Sequence, residues 1–490
     1  MPQRDAIKKA VYLTFYPPRH TVPHGVGRAI RRTAGLSPNT FRKFCFAAGM
    51  AITLLVHAVP AQAQGLGILR DTETEEMLKT YEAPLAKAAG LDPNAVKTYL
   101  VGDPSLNAFA MQPANLFICA GMLLWMRNPN ELIGVLAHET GHISGAHLTR
   151  GSYGAKKAMI PMLASMLLGL GAMAAGAGEL GMVMMGLGQA VAEAQFMTFT
   201  RVQESSADQI AAKLLLATHQ SPKGLVETFR RFAQADAMRA SYNRPDRFAS
   251  SHPVGQDRVF DLLQKLESSP YRDVQDSPQS LHTFQMVQAK LAGFVLPVKD
   301  ALIRFPVSNT SAPARYARSF VYMREPNFQK ALAEISSLIQ EEPNNPYFYE
   351  VRGQIQVSMA KPHLALPDYQ KAVSLRPGAP QLRLMLASAQ LATEDPALAA
   401  EALKNLKAAL LVENDDIYTW YQTAQAYNAI KNVPMADLST AELWYNAGDM
   451  RRALVFAMRA RGKLPQGGRD WERAQDIIGA AGPLAQQQRG

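Results

Sequence analysis

In the run Leu136–His142, L-A-H-E-T-G-H, two histidines stand four residues apart and a glutamate follows the first. On an α-helix this spacing puts His138 and His142 one turn apart on one face, so both imidazoles can reach one metal ion while Glu139 projects beside it toward a bound water. The chemistry predicted is metal-assisted hydrolysis: zinc lowers the pKa of the water, and Glu139, as general base, takes its proton and returns it to a leaving amine. The pattern requires a helix, and its flanks supply one. Asn130-Glu131 offers a capping-type residue and a first-turn acid, and Leu132, Ile133, Val135 and Leu136 supply a buried face.

A third ligand is needed. Six residues after His142, where a metzincin pattern would place it, stands Leu148. His147, five residues on, falls about 140° round a continued helix and reads as a surface histidine. The better source is E-S-S-A-D, in which Glu204 and Asp208 are spaced i, i+4 on a second amphipathic segment. Glu204 can ligate the metal while Asp208 accepts the other ring N–H of a ligand histidine and so fixes its tautomer.

Four ordered motifs, N-A-F-A at Asn107–Ala110, H-E-T-G-H, E-S-S-A-D at Glu204–Asp208 and S-H-P-V-G-Q-D-R at Ser251–Arg258, carry a resemblance. The chain resembles the gluzincin peptidase family that includes the CaaX prenyl endopeptidase, the membrane heat-shock protease HtpX and periplasmic β-barrel assembly-enhancing proteases. The resemblance implies one Zn2+ per chain on His138, His142 and Glu204, Glu139 as the catalytic base, and supporting catalytic roles for Asp208, His252 and Arg258. It also implies unfolded or misassembled envelope proteins as substrates, and the outer-membrane protein assembly machinery as partner. His252 and Arg258 lie on a loop that can approach the metal from its open side. There one of them can stabilise an oxyanion, or His252 can take the fourth metal position.

The net charge of +10 is not a nucleic-acid signal. Residues 1–63 carry nine Lys/Arg against Asp5 alone, which leaves +2 for the rest. In that segment Arg42-Lys43 precede an apolar run from Phe44 to Val59, and Ala61-Gln62-Ala63 is a small-x-small cleavage site, so residues 1–63 read as a secretory signal peptide and the location as periplasmic. Cys45 would leave with it. Cys119 then has no partner for a disulfide and reads as a small buried strand residue.

Before the metal helix, Thr98–Val101, Asn107–Ala110 and Leu116–Cys119 are short β-prone runs separated by turns. They predict a small sheet whose outer strand, near Asn107–Ala110, can pair with an extended client. The uncharged stretch 158–178 and the apolar 180–192 reach the length of a membrane span, but their Gly, Ala and Met content and Pro161 favour an apolar hairpin that covers the cleft or leans on a membrane surface.

A 34-residue tetratricopeptide period follows: Ala331 and Pro343 recur as Ala365 and Pro377, with Tyr349, Gly353, Tyr369 and Ala372 at the matching offsets. Looser units include Ala402, Leu406, Trp420, Ala424, Tyr427, Ala453, Ala460 and Pro465. The expected architecture is α+β, mainly α. A zincin-type metallopeptidase domain with a small sheet (64–267) is followed by a linker with helices (268–310), an all-α tetratricopeptide solenoid (311–466) for partner docking, and a C-terminal tail (467–490). The alternative from another functional class is a chaperone or scaffold for outer-membrane protein assembly in which proteolysis is conditional.

Overall fold

The computed structural model describes residues 9–12, 67–147, 165–166, 178–240, 252 and 255–487. A mixed α+β unit precedes an all-α solenoid, as the sequence predicts.

The sheet has the order β1-β2-β3-β5-β4. β2 (Gly67–Arg70) lies antiparallel to β3 (Lys97–Val101), β3 parallel to β5 (Asn115–Cys119), and β4 (Ala108–Met111) antiparallel to β5 at the edge. β1 (Lys9–Tyr12), from the basic N-terminal segment, pairs parallel with β2. All five residues of β5 are buried, Cys119 among them. Phe117 stacks between Tyr99 and Phe109 at centroid distances of 5.4 and 5.0 Å, which ties the three strands together side chain to side chain. The edge lies where the sequence places it.

Around the sheet pack α1 (Thr72–Ala88), α2 (Ala120–Trp125), α3 (Pro129–Ser144), α4 (Gly178–Ala217), α5 (Lys223–Ala240), α6 (Gln256–Ser268) and α7 (Pro278–Val295). α3 carries the H-E-T-G-H run and is buried along almost its whole length. Its cap differs from the sequence reading. Asn128, not Asn130, is the N-cap and accepts from the Glu131 amide, with Pro129 in the first turn, where its missing N–H is no loss. Asn130 instead accepts from the Gly224 amide and donates to the Ser221 carbonyl, which fastens α3 to the start of α5. Glycines let neighbours close on α3: a Cβ at Gly134 would lie 2.7 Å from Leu225 N, and one at Gly141 2.8 Å from Ala207 O on α4.

α4 is a single helix of 40 residues, so 180–192, read as the second arm of the apolar hairpin, continues directly into the segment bearing Glu204 and Asp208. Most of the first arm lies outside the described residues. Among those described, no helix is long and apolar enough to cross a membrane.

After α7, whose Phe284, Val287 and Leu291 are buried in the same core as the sheet and α3, comes the short α8 (Val298–Arg304). Helix pairs then stack: α9 (Ala312–Arg324) with α10 (Phe328–Glu341), α11 (Pro346–Ser358) with α12 (Pro362–Leu375), α13 (Pro380–Leu391) with α14 (Pro396–Leu410), and α15 (Ile417–Ala429) with α16 (Val433–Asn446). α17 (Met450–Arg461) and α18 (Arg469–Gln487) close the stack, with Ala474, Ile477 and Ala481 buried against it. The small residues of the repeat do what their size allows. Ala331, Ala365, Ala402 and Ala453 are fully buried, and Gly353 admits the Tyr369 ring to 3.0 Å from where a Cβ would sit.

The solenoid grips the α+β unit through the start of α1. The first helices of three successive pairs reach it: Tyr316 donates to Glu73, Tyr347 to Glu76 and Gln381 to Glu75, while Glu413, ahead of α15, takes Arg70 with both oxygens at 2.8 Å. Lys290 of α7 is buried among Asp71, Glu73 and Glu350.

Candidate metal centre

α3, α4 and the turn at His252 bring four donor groups to one point: His138, His142, Glu204 and His252, all buried. His138 Nε2 lies 3.1 Å from His142 Nε2, 3.4 Å from His252 Nδ1 and 3.4 Å from Glu204 Oε2. His142 Nε2 is 3.3 Å from Glu204 Oε1, and His252 Nδ1 is 3.1 Å from Glu204 Oε2. Four donors at bonds of 2.0–2.1 Å to a tetrahedral ion stand about 3.3 Å apart, and the donor atoms here all lie within 4.8 Å of one another, so the set suits a metal ion such as zinc.

Glu139 sits beside this set, with His252 Nε2 3.6 Å from its Oε1. Both Glu139 oxygens are buried without a well-formed hydrogen bond. A carboxylate in that position is prepared to accept a proton from a water at the metal. Burial raises its pKa, opposed by His252, His138 and the backbone amide of Ala110 on the edge strand.

Behind the donors stand their supports. Asp208 Oδ1 is 2.9 Å from His138 Nδ1, which leaves Nε2 for a metal. Arg258 holds Asp208 with two hydrogen bonds, Nε to Oδ2 at 2.7 Å and Nη2 to Oδ1 at 2.9 Å, and reaches Glu204 Oε2 at 3.1 Å. Phe229 of α5 meets the edge of His138 at 5.3 Å and lies 5.0 Å from the Arg258 guanidinium. That aromatic was not singled out in the sequence, where it reads as one more apolar residue of an amphipathic helix.

The electrostatics are those of a cation site. Burial works against charge on His138, yet hydrogen bonds to Asp208 and Glu204 outweigh it and lift the ring to about 10. Burial and the neighbouring His138 charge drive His142 down to about 2, so its ring is neutral with a lone pair to offer. Burial alone would raise Glu204, but hydrogen bonds from His138 and His252 hold it well below the usual carboxylate range. Asp208 is lowered likewise by His138 and Arg258. A site that retains a proton on His138 this firmly has negative charge to spare, and a divalent ion satisfies the same groups.

All seven residues named from the sequence therefore meet here. His147 is the correction: it is buried, with Nδ1 3.2 Å from His142 Nδ1. The offset of about 140° holds only for a helix that continues. α3 ends at Ser144, Gly145 caps it, and Ala146 turns at φ 55°, which swings His147 back.

Comparison with known proteins follows the same lines. Residues 72–266 match peptidase family M48. The chain is 25% identical over 389 residues to the beta-barrel assembly-enhancing protease of Escherichia coli (strain K12), covering 76% of this chain and 77% of that protein. It is 30% identical over 191 residues to metalloprotease YcaL of the same organism, covering 38% of this chain and 69% of that protein. Among solved structures, the tetratricopeptide protein YrrB covers 35% of this chain and 89% of its own length at 20% identity and a TM-score of 0.29, a likeness too distant to carry an argument.

Proposed function

Because the chain belongs to peptidase family M48, we propose that it is a periplasmic zinc endopeptidase that cleaves misfolded or stalled outer-membrane and envelope proteins, with the solenoid docking partners of their assembly. The observation that carries this reading is the Glu139 carboxylate, buried without a well-formed hydrogen bond beside the donor set of His138, His142 and Glu204.

Zinc held by His138, His142 and Glu204 would supply Lewis acidity, polarising a scissile carbonyl and lowering the pKa of a water so that a base can deprotonate it for attack. Glu139 takes the proton from that water and delivers it to the departing amine. Asp208 holds His138 in its ligating tautomer, and Arg258 fixes Asp208 and Glu204 together. The edge strand β4, with Ala110 turned to Glu139, offers backbone groups with which an extended client can pair, a mode that accepts many sequences. The client class and the periplasmic location rest on the beta-barrel assembly-enhancing relative and on the presequence.

Metal analysis and casein hydrolysis by the purified exported chain test this. Glu139→Gln is expected to keep one zinc and lose turnover by about 10²- to 10⁴-fold, whereas His142→Ala loses the metal. A full zinc complement in His142→Ala would sink the ligand assignment.

The fourth donor, His252, favours a second reading in which the protein serves mainly as an assembly scaffold with proteolysis held in reserve. Complementation of a deletion strain by Glu139→Gln would decide for the scaffold.

A further inference from the structure

We infer that His147 is the positioning residue of His142, the neutral counterpart of Asp208 behind His138. This rests on the zinc reading of the site.

His142 points Nε2 at the other donors, 3.1 Å from His138 Nε2 and 3.3 Å from Glu204 Oε1. With Nε2 committed to a metal, the ring of a neutral imidazole carries its proton on Nδ1, and that N–H needs an acceptor in this buried place. The atom opposite is His147 Nδ1, at 3.2 Å, with the two rings edge to face at 5.1 Å and 79°. His147 therefore accepts at Nδ1 and carries its own proton on Nε2.

The local chain is shaped to deliver this ring. α3 stops at Gly145, the left-handed turn at Ala146 sends the backbone back, and Gln203 of α4 donates to the His147 carbonyl at 3.4 Å. A Cβ at Gly145 would stand 2.6 Å from His147 Nε2, so a larger residue there would displace the ring from its place over the helix end.

The asymmetry has a chemical consequence. His138 is backed by a carboxylate that is itself held by an arginine, a strong acceptor that makes the ring electron-rich. His142 is backed by a neutral imidazole, a weaker acceptor, so His142 is oriented without a further negative charge behind the metal. Loss of His147 should thus weaken metal binding without dismantling the fold.

Three full-length variants separate orientation from packing. His147→Phe keeps a ring and removes the acceptor, His147→Asn keeps an acceptor near the position of Nδ1, and His147→Ala removes both. Zinc affinity is read by competition with a chromophoric chelator, and folding by circular dichroism. The expected result is a loss of about 10- to 100-fold in affinity for Phe and Ala, with Asn recovering most of it and all three folded. Wild-type affinity in His147→Phe, or equal losses in all three, would overturn the assignment while leaving the metal centre intact. A wild-type chain that binds no zinc would overturn both.

Discussion

His252 Nδ1 and Glu204 Oε2 stand 3.1 Å apart, so the loop histidine shares the donor set instead of waiting behind it. An open catalytic site keeps one position for water, and a fourth protein donor closes it. Such a plug would hold hydrolysis at the site in check.

His252→Ala should accordingly raise basal casein hydrolysis severalfold at unchanged zinc content, because three ligands remain and the fourth position opens. A fall at full zinc occupancy would make His252 a helper of the transition state. Unchanged hydrolysis would deny it either role.

Gly141 sets how near α4 comes to α3. Alanine is the better helix former by about 1 kcal/mol, but its Cβ would lie 2.8 Å from Ala207 O and 3.2 Å from Ala207 Cα. Crowding of this kind costs about 1–3 kcal/mol and would push Glu204 and Asp208 away from the two histidines. Gly141→Ala should therefore lower both the melting temperature and zinc affinity. A higher melting temperature with zinc retained would show that the contact has room.

His138, Glu139, His142, Glu204 and Asp208 were legible in the sequence because helical spacing gives each a chemical part, whereas His252 and Arg258 were named only by the resemblance of S-H-P-V-G-Q-D-R. What escaped depends on geometry that spacing does not encode. His147 was misplaced because Ala146 adopts a left-handed conformation that an alanine does not advertise. The helix cap moved from Asn130 to Asn128 because both are capping residues, and only the contact with Gly224 shows what Asn130 does. Lys290, in Q-A-K-L, is only 2% exposed, a burial rare for lysine that nothing in its local run signals. Its burial depends on α1 and the solenoid, hundreds of residues apart in sequence, meeting around it.

That last cluster makes the grip of the solenoid sensitive to pH. Burial pushes Glu73 up to about 7, and Lys290 opposes it only in part; Glu350 is pushed up to about 7 for the same reasons. Both lie above the ordinary value of 4.5, so the folded protein holds more protons than the unfolded chain between pH 4.5 and 7. The stability these groups contribute is complete below about 4.5 and is lost as pH rises through 7. Replacing both by glutamine removes the ionisation and keeps an acceptor for the Tyr316 hydroxyl, which donates to Glu73 at 2.8 Å. The Glu73→Gln, Glu350→Gln variant should come closest to the wild type at acid pH and exceed it by a margin that grows steadily toward pH 8, read as a widening difference in melting temperature. The metal site is common to both proteins, so its own pH dependence cancels in the difference. A difference that is flat from pH 5 to 8, or that grows toward acid, would show that these carboxylates are already ionised in the folded protein and that Lys290 satisfies them fully.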